Sequence, residues 1–248
     1  SHSSGIADDA DEEAGEDYEA IWQAKPCYLA RETSDLLENF VHKAPLFKAG
    51  SASRYNNAGY ILVGLAMEKR TGLPFRTIVE REVIQPLGLR DTGYFAKDGI
   101  DGNVAEGYAT ITDSNGSTVG FRKNIYSYPP VGSPDAGICT TVRDLSKLFD
   151  GIRSDKFIGT PLNGRLLSPV IDAFTLKSGD MRRYGHSLEF DYSASGTLRR
   201  YGKDGVNPGV ATIAMYYPAT DGFVAILSNQ DSDVWSMCRE LAAAAHLG

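Results

Sequence analysis

The chain has 248 residues, with 25 Lys and Arg against 32 Asp and Glu, for a formal net charge of −7. At 42% hydrophobic and 23% charged residues it can bury a sizeable core, as one large domain or two small ones. The acidity argues against nucleic acid or an anionic membrane as a partner, and no apolar run reaches the roughly 18 residues of a transmembrane helix.

Residue 1 opens neither the basic nor the apolar region of a signal peptide. Between Asp8 and Glu19 stand eight acids (Asp8, Asp9, Asp11, Glu12, Glu13, Glu16, Asp17, Glu19) and no Lys or Arg. The expectation is a solvated loop, because no EF-hand-like spacing of Gly and Glu supports a metal site. Ser34 or Thr33 can cap a helix that puts Leu36, Leu37, Phe40 and Val41 on one face, with Pro45 ending it. Lys48–Ser51 reads as a turn. A second helix follows Tyr55-Asn56-Asn57 through Ile61, Leu62, Leu65 and Ala66, and Gly72 stops it. A third starts near Pro74 with Phe75, Ile78, Val79 and Val83 on one face and ends before Pro86. From Arg90 to Gly137 the chain reads as long loops with short strands.

Thr141-Val142-Arg143-Asp144 is a capping pattern for a helix over Leu145–Ile152. Tyr184–Phe190, Thr197–Tyr201, Ala211–Tyr217 and Phe223–Leu227 read as strands with short, hence antiparallel, connections. A last helix from about Ser232 carries Val234, Trp235, Cys238, Leu241, Ala242 and Ala245 on a stripe that should lie on that sheet. Helices, then strands, then one helix make an α+β pattern. Cys27, Cys139 and Cys238 have no zinc-like spacing, and Cys238 reads as a buried thiol. Cysteine usage does not resolve the compartment. His42, His186 and His246 lack metal-ligand spacing, and nothing in the sequence implies a cofactor or a metal.

Two short segments carry chemistry. In Tyr55-Asn56-Asn57, a phenol beside cations in a partly dry site can shuttle protons, and an amide two residues on can hold a carbonyl and an ammonium together. Tyr-x-Asn alone equally describes a buried tyrosine and an N-cap asparagine. In Lys203-Asp204-Gly205, a lysine after a strand can bind a substrate anion or lower a tyrosine pKa, and the glycine admits a close ligand. Lys-x-Gly alone equally describes a charged hairpin end.

Taken in order, the segments of the chain resemble the class C β-lactamase-related serine hydrolases, which include penicillin-binding proteins and esterases. The resemblance runs through Ser1-His2-Ser3-Ser4-Gly5-Ile6, Tyr55–Leu62, Glu68–Gly72, Pro86–Leu89 with Asp91-Thr92, Ala136-Gly137-Ile138, Thr141–Leu145, Tyr184-Gly185, Lys203–Gly209 and Ala225–Asn229. It implies a β-lactamase/transpeptidase-like α+β fold: an antiparallel sheet flanked by helices, a mostly helical subdomain, and a cleft between them. By match to the family, Tyr55 is the general base or acid, Asn57 positions the substrate, and Lys203 supports the tyrosine. Gly205 and Val206 line the substrate and oxyanion side, with the Val206 N–H as half of the oxyanion hole. His2 falls in a matched segment and reads as a structural hydrogen-bonder.

The family's nucleophile belongs to a Ser-x-x-Lys motif. The residues three before the ten lysines are Trp22, Phe40, Pro45, Ala66, Tyr94, Gly120, Asp144, Arg153, Phe174 and Arg200. None is serine. In the family that motif lies upstream of the His-Ser-Ser-Gly segment. The expectation is therefore a single β-lactamase-like domain over residues 1–248, incomplete at its N-terminus and inactive alone. Its helical and loop part should span about residues 30–180 and its sheet and last helix about 184–248. The incomplete domain should self-associate through exposed edge and core surface. Asp204 stands where the family's β-lactamases and carboxypeptidases tend to carry threonine. An ionised Asp would repel a substrate carboxylate, which tilts the expected substrate from β-lactams towards esters within the class of small ester, amide or peptide-like molecules. The alternative is a non-catalytic relative that binds a ligand or a partner.

Overall fold

Apolar residues three and four apart gather the first half of the chain around its own core. The computed structural model describes residues 1–23, 25–154 and 157–247. One unit comprises His2–Glu106 and Lys123–Thr140; the other comprises Ser1, Gly107–Arg122 and Thr141 onwards.

In the unit beginning at His2, Trp22, Cys27, Leu36, Phe40, Ala58 and Ile61 form the core. Helix α1 (Ala58–Thr71) ends at Gly72, which takes φ 71° and donates its N–H to the Glu68 carbonyl, as expected. The earlier helix differs from expectation. It is a 3₁₀ helix over Thr33–Asn39, closed by a capping box between Glu32 and Asp35 rather than by Ser34 or Thr33. The Thr33 hydroxyl instead donates to Glu68 Oε1 at 2.8 Å. The helix stops six residues short of Pro45, so Val41 is exposed. Helix α2 (Phe75–Val79) does not end before Pro86 either. It widens into a π turn (Glu80–Ile84) and continues as α3 (Gln85–Leu87). A proline ring clashes with the carbonyl four residues back in a regular helix. The π turn moves that ladder outward: Gln85 N–H reaches the Glu80 carbonyl, five back.

The acidic segment departs from a solvated loop at its start. Asp8 and Asp9 are 5% and 2% exposed. Asp11 pairs with Arg54 at 2.6 Å and Glu16 with Lys43 at 3.3 Å. The side chain of Glu12 lies outside the described residues.

In the other unit, β1 (Tyr108–Thr112) and β2 (Thr118–Lys123) form a hairpin within the expected loop region. Helix α4 (Val142–Arg153) is capped by Thr141, whose hydroxyl accepts from the Asp144 N–H at 3.2 Å. A short helix α5 (Thr160–Leu166), with proline in its first turn, was not anticipated. Six strands then run as an antiparallel meander: β3 (Ile171–Thr175), β4 (Met181–Tyr184), β5 (Glu189–Tyr192), β6 (Leu198–Asn207), β7 (Val210–Tyr217) and β8 (Gly222–Ser228).

The expected strand Tyr184–Phe190 is thus two strands joined by a turn at Gly185–Leu188. The turn is set by Ser187 at φ 134° and by the Gly185 N–H donating to the Leu188 carbonyl at 2.8 Å. The sheet is covered on both faces. Ala211, Ile213, Met215 and Tyr217 of β7 pack with Val234, Cys238 and Ala242 of α6 (Val234–Ala244). Ala214 and Tyr216, on the opposite face, pack with Tyr201, Phe190 and Phe149 of α4. Cys238 is fully buried, as expected, whereas Leu241 and Ala245 of the same stripe are exposed. All three cysteines are free.

Candidate active site

Tyr55 and Asn57 sit on the approach to α1, held by the N-terminal segment. Residues 2–8 lie along residues 46–58. Leu46 N–H donates to the Gly5 carbonyl, Gly50 N–H to Ser3 and Arg54 N–H to His2, at 2.8–2.9 Å. Gly5 is required there. It takes φ +74°, and a Cβ would lie 2.0 Å from the Phe47 carbonyl oxygen. His2 is buried and stacks on the Tyr55 ring, with centroids 4.4 Å apart and planes at 28°. His2 Nδ1 lies 3.1 Å from the Asn56 backbone nitrogen and 3.2 Å from the Asn56 carbonyl oxygen, so the ring is tied to the Asn56 backbone. His2 thus stacks on Tyr55 and hydrogen-bonds the Asn56 backbone, the hydrogen bonding expected of it from the sequence.

The cap of α1 is shared, and the Asn57 side chain has no part in it. Asn56 Oδ1 accepts from the Gly59 N–H at 2.6 Å. The Asp8 carboxylate accepts from the Asn57 and Ala58 N–H groups, each at 2.9 Å. The negative charge also suits the positive end of the helix. Asn57 is the residue before the helix, yet its side chain makes no capping bond. Its amide enters no hydrogen bond among the described residues, and the residue is half-buried.

Burial around this segment shifts carboxyl groups upward. Asp9 is pushed up to about 8, first by burial and then by the neighbouring Asp8 charge. Asp135 is raised by burial, Tyr18 by burial and by the Asp9 and Asp135 charges, and Tyr94 by burial and by Asp135.

Lys203, Gly205 and Val206 belong to the other unit. They lie inside β6 rather than beyond its end, because the strand runs six residues past the expected Tyr201. Asn207 and Val210 flank the two-residue turn Pro208-Gly209. A pair closing so short a turn exchanges both hydrogen bonds, and the pairs alternate from there. Val206 opposite Ala211 is thus a non-bonded pair, and its N–H points away from β7. Strand β5 begins at Glu189, opposite Gly202, so its ladder with β6 does not extend to the Val206 N–H. A Cβ at Gly205 would meet only Thr212 Oγ1, at 3.4 Å, so space remains beside it. The turn is pinned by Asp231, which accepts from the Gly209 N–H at 2.7 Å and the Thr110 N–H at 2.6 Å.

Lys203 Nζ donates to Glu189 Oε1 at 2.6 Å and lies 3.5 Å from Asp204 Oδ1. Glu189 is buried and is also paired with Arg182. Arg182 and Arg200 both bind Asp191, at 2.7 Å and 2.8 Å. Burial alone would lower the Arg182 pKa, but its bonds to Asp191 and Glu189 hold it above the usual range. Asp204 Oδ2 accepts from Trp235 Nε1 at 2.6 Å, which fastens β6 to α6.

The structure therefore groups Tyr55 with Asn57, and Lys203 with Gly205 and Val206. Sequence reasoning missed Asp8 and Glu189, the residues that hold Asn57 and Lys203. Asp8 is 49 positions from Asn57 and Glu189 is 14 from Lys203, so no local pattern joins either pair. Among the described residues no group of three or more His, Cys, Asp or Glu is arranged to hold a metal ion, and no helix is long and apolar enough to cross a membrane.

A family model described as Beta-lactamase matches residues 1–248. N-acetylmuramyl-L-alanine amidase of Bacillus subtilis is 25% identical over 225 residues, covering 82% of this chain and 50% of that protein. Penicillin-binding protein 4* of the same organism is 23% identical, covering 92% of this chain and 51% of the relative. The chain thus spans about half the length of these curated relatives. The crystal structure of a penicillin-binding protein from Bacillus halodurans superposes with a TM-score of 0.90 at 32% identity, over 98% of this chain and 71% of that one.

Proposed function

From a chain that belongs to the Beta-lactamase family of serine hydrolases, we propose the tyrosine and lysine side of an acyl hydrolase that cleaves small ester, amide or peptide-like substrates through an acyl-enzyme. Tyr55 carries the proton between nucleophile and leaving group, and Asn57 presents its amide to the substrate. Lys203 is the cationic donor on β6. The Val206 N–H is one donor to the oxyanion, with Gly205 leaving room beside it. The nucleophile is not among these 248 residues, since no serine stands three before a lysine, and the chain alone forms no acyl-enzyme. The observation that carries the reading is the division of labour before α1. Asn56 and Asp8 cap the helix and His2 stacks on Tyr55, while the Asn57 amide stays uncommitted.

The test is labelling with a fluorophosphonate probe and a fluorescent penicillin, read by intact mass. The expected result for this chain is no stoichiometric adduct. A stoichiometric serine adduct lost in Tyr55→Phe would overturn the assignment of the nucleophile. The missing motif also favours a second reading, a relative that binds a ligand or partner without turnover. A Ser-x-x-Lys encoded in frame upstream of Ser1, labelled in the longer polypeptide, decides for the hydrolase. Its absence decides for the binder.

A further inference from the structure

We propose that Glu189 is a specificity-determining residue: by compensating the Lys203 ammonium it directs this side of the site to uncharged acyl groups and against substrates that present a carboxylate to Lys203. The inference rests on the reading of Lys203 as a substrate-facing donor, and it names the charge class of the substrate.

Three features make the compensation permanent. Glu189 is 5% exposed and lies 2.6 Å from Lys203 Nζ through one carboxylate oxygen. Its other oxygen is held by Arg182, so it cannot swing away to admit an anion. Asp204 sits 3.5 Å from the same ammonium and is fixed by Trp235 at 2.6 Å. Across the network, Arg182, Arg200 and Lys203 face Glu189, Asp191 and Asp204, three cations against three carboxylates. Within this network of described residues the cations and carboxylates balance.

An anion that reaches Lys203 meets two carboxylates already on it. With the network balanced, an incoming carboxylate loses the attraction that an uncompensated ammonium near 4 Å would give, worth about fivefold in binding even at the dielectric constant of water and more in a drier site. A neutral amide or ester carbonyl needs no such attraction, only the hydrogen-bond donor.

The test needs no turnover, so its failure is separable from failure of the hydrolase reading. Lys203 is acetylated with anionic sulfosuccinimidyl acetate and, separately, with neutral succinimidyl acetate. Peptide mass spectrometry gives the ratio of the two rates, divided by the same ratio at the exposed Lys177. Both reagents need the neutral amine, so the ratio cancels the lysine pKa and reports local charge alone. In the wild type the expected ratio is at or below that of Lys177 and flat from about 20 to about 300 mM salt. Glu189→Gln should raise it about fivefold at low salt, and Glu189→Asp, which keeps the charge, should leave it low. A wild-type ratio above that of Lys177 that falls with salt would overturn the proposal, as would a Glu189→Gln ratio equal to wild type. Should Glu189→Gln not fold, the wild-type salt series decides by itself.

Discussion

Asp8 and Asp9 are adjacent buried carboxylates, and substitution should affect them in opposite ways. Asp8 accepts from two backbone N–H groups at the start of α1, at 2.9 Å each. Asp8→Ala leaves both donors without a partner. A buried orphaned donor costs about 1–3 kcal/mol, and loss of a helix cap costs about 1 kcal/mol. These overlap, so the expected loss is about 3 kcal/mol, or about 6–12 °C in Tm for a chain of this size. Asp8→Asn keeps one acceptor oxygen and removes a charge beside Asp9, so about 1 kcal/mol is expected.

Asp9 is different, because its carboxyl is pushed up to about 8 by burial and by Asp8. The folded chain keeps a proton there that the unfolded chain releases above about pH 4. Between about pH 4 and pH 8 the folded state binds more protons, so this group's contribution falls as pH rises through that window. Asp9→Asn keeps an acceptor for the Ala10 N–H, now 2.9 Å from Asp9 Oδ1, and removes the slope. It should stabilise the protein at pH 8 by at least about 1 kcal/mol and change little at pH 5. Urea titrations of the three variants and the wild type at both pH values measure these terms, read by fluorescence and circular dichroism together. The reasoning fails if Asp8→Ala stays within about 0.5 kcal/mol of wild type. It also fails if Asp9→Asn destabilises equally at both pH values.

Lys97 is held down to about 8 by burial. Its unfolded form binds more protons between about pH 8 and pH 10.4, so stability should rise with pH in that range, and Lys97→Met should flatten the rise in a pH series of thermal melts. Gly202→Ala places a Cβ 1.9 Å from the Ala214 carbonyl oxygen across the β6–β7 pair, where only backbone could yield. It should cost about 3 kcal/mol in urea unfolding, and a neutral outcome would contradict the register. Trp235→Phe removes the indole donor to Asp204 and should cost about 2 kcal/mol, with Asp204→Asn in the same background recovering part of it.

Features set by neighbours in sequence were legible before the structure: α1 with its Gly72 stop, the Thr141 cap of α4, the antiparallel strands and the last helix. Those set by distant partners were not. Within Tyr184–Phe190 only Gly185 hints at a turn; the turn depends on a serine at φ 134° and on the Phe190 ring, which leaves no room for a Cβ at Gly185. Pro86 reads as a stop, yet a π turn carries the helix past it. The acids at positions 8 and 9 read as solvated charge, because the N–H groups that bury Asp8 lie 49 and 50 positions away. Tyr55 and Asn57 were legible as a motif, but the support beneath them was not.

Read locally, Asp204 is the residue that would repel a carboxylate, and the case rests on which way its side chain points. In the structure its carboxylate is spoken for by Trp235, and that contact alone would weaken the case. Glu189 restores it from another strand, because it is closer to Lys203, more buried, and locked by Arg182. A lysine in a Lys-x-Gly segment is therefore insufficient ground to expect an anion-binding site. The sign of the local field is set by the carboxylates across the sheet, and here they leave the lysine a donor without a net charge to offer.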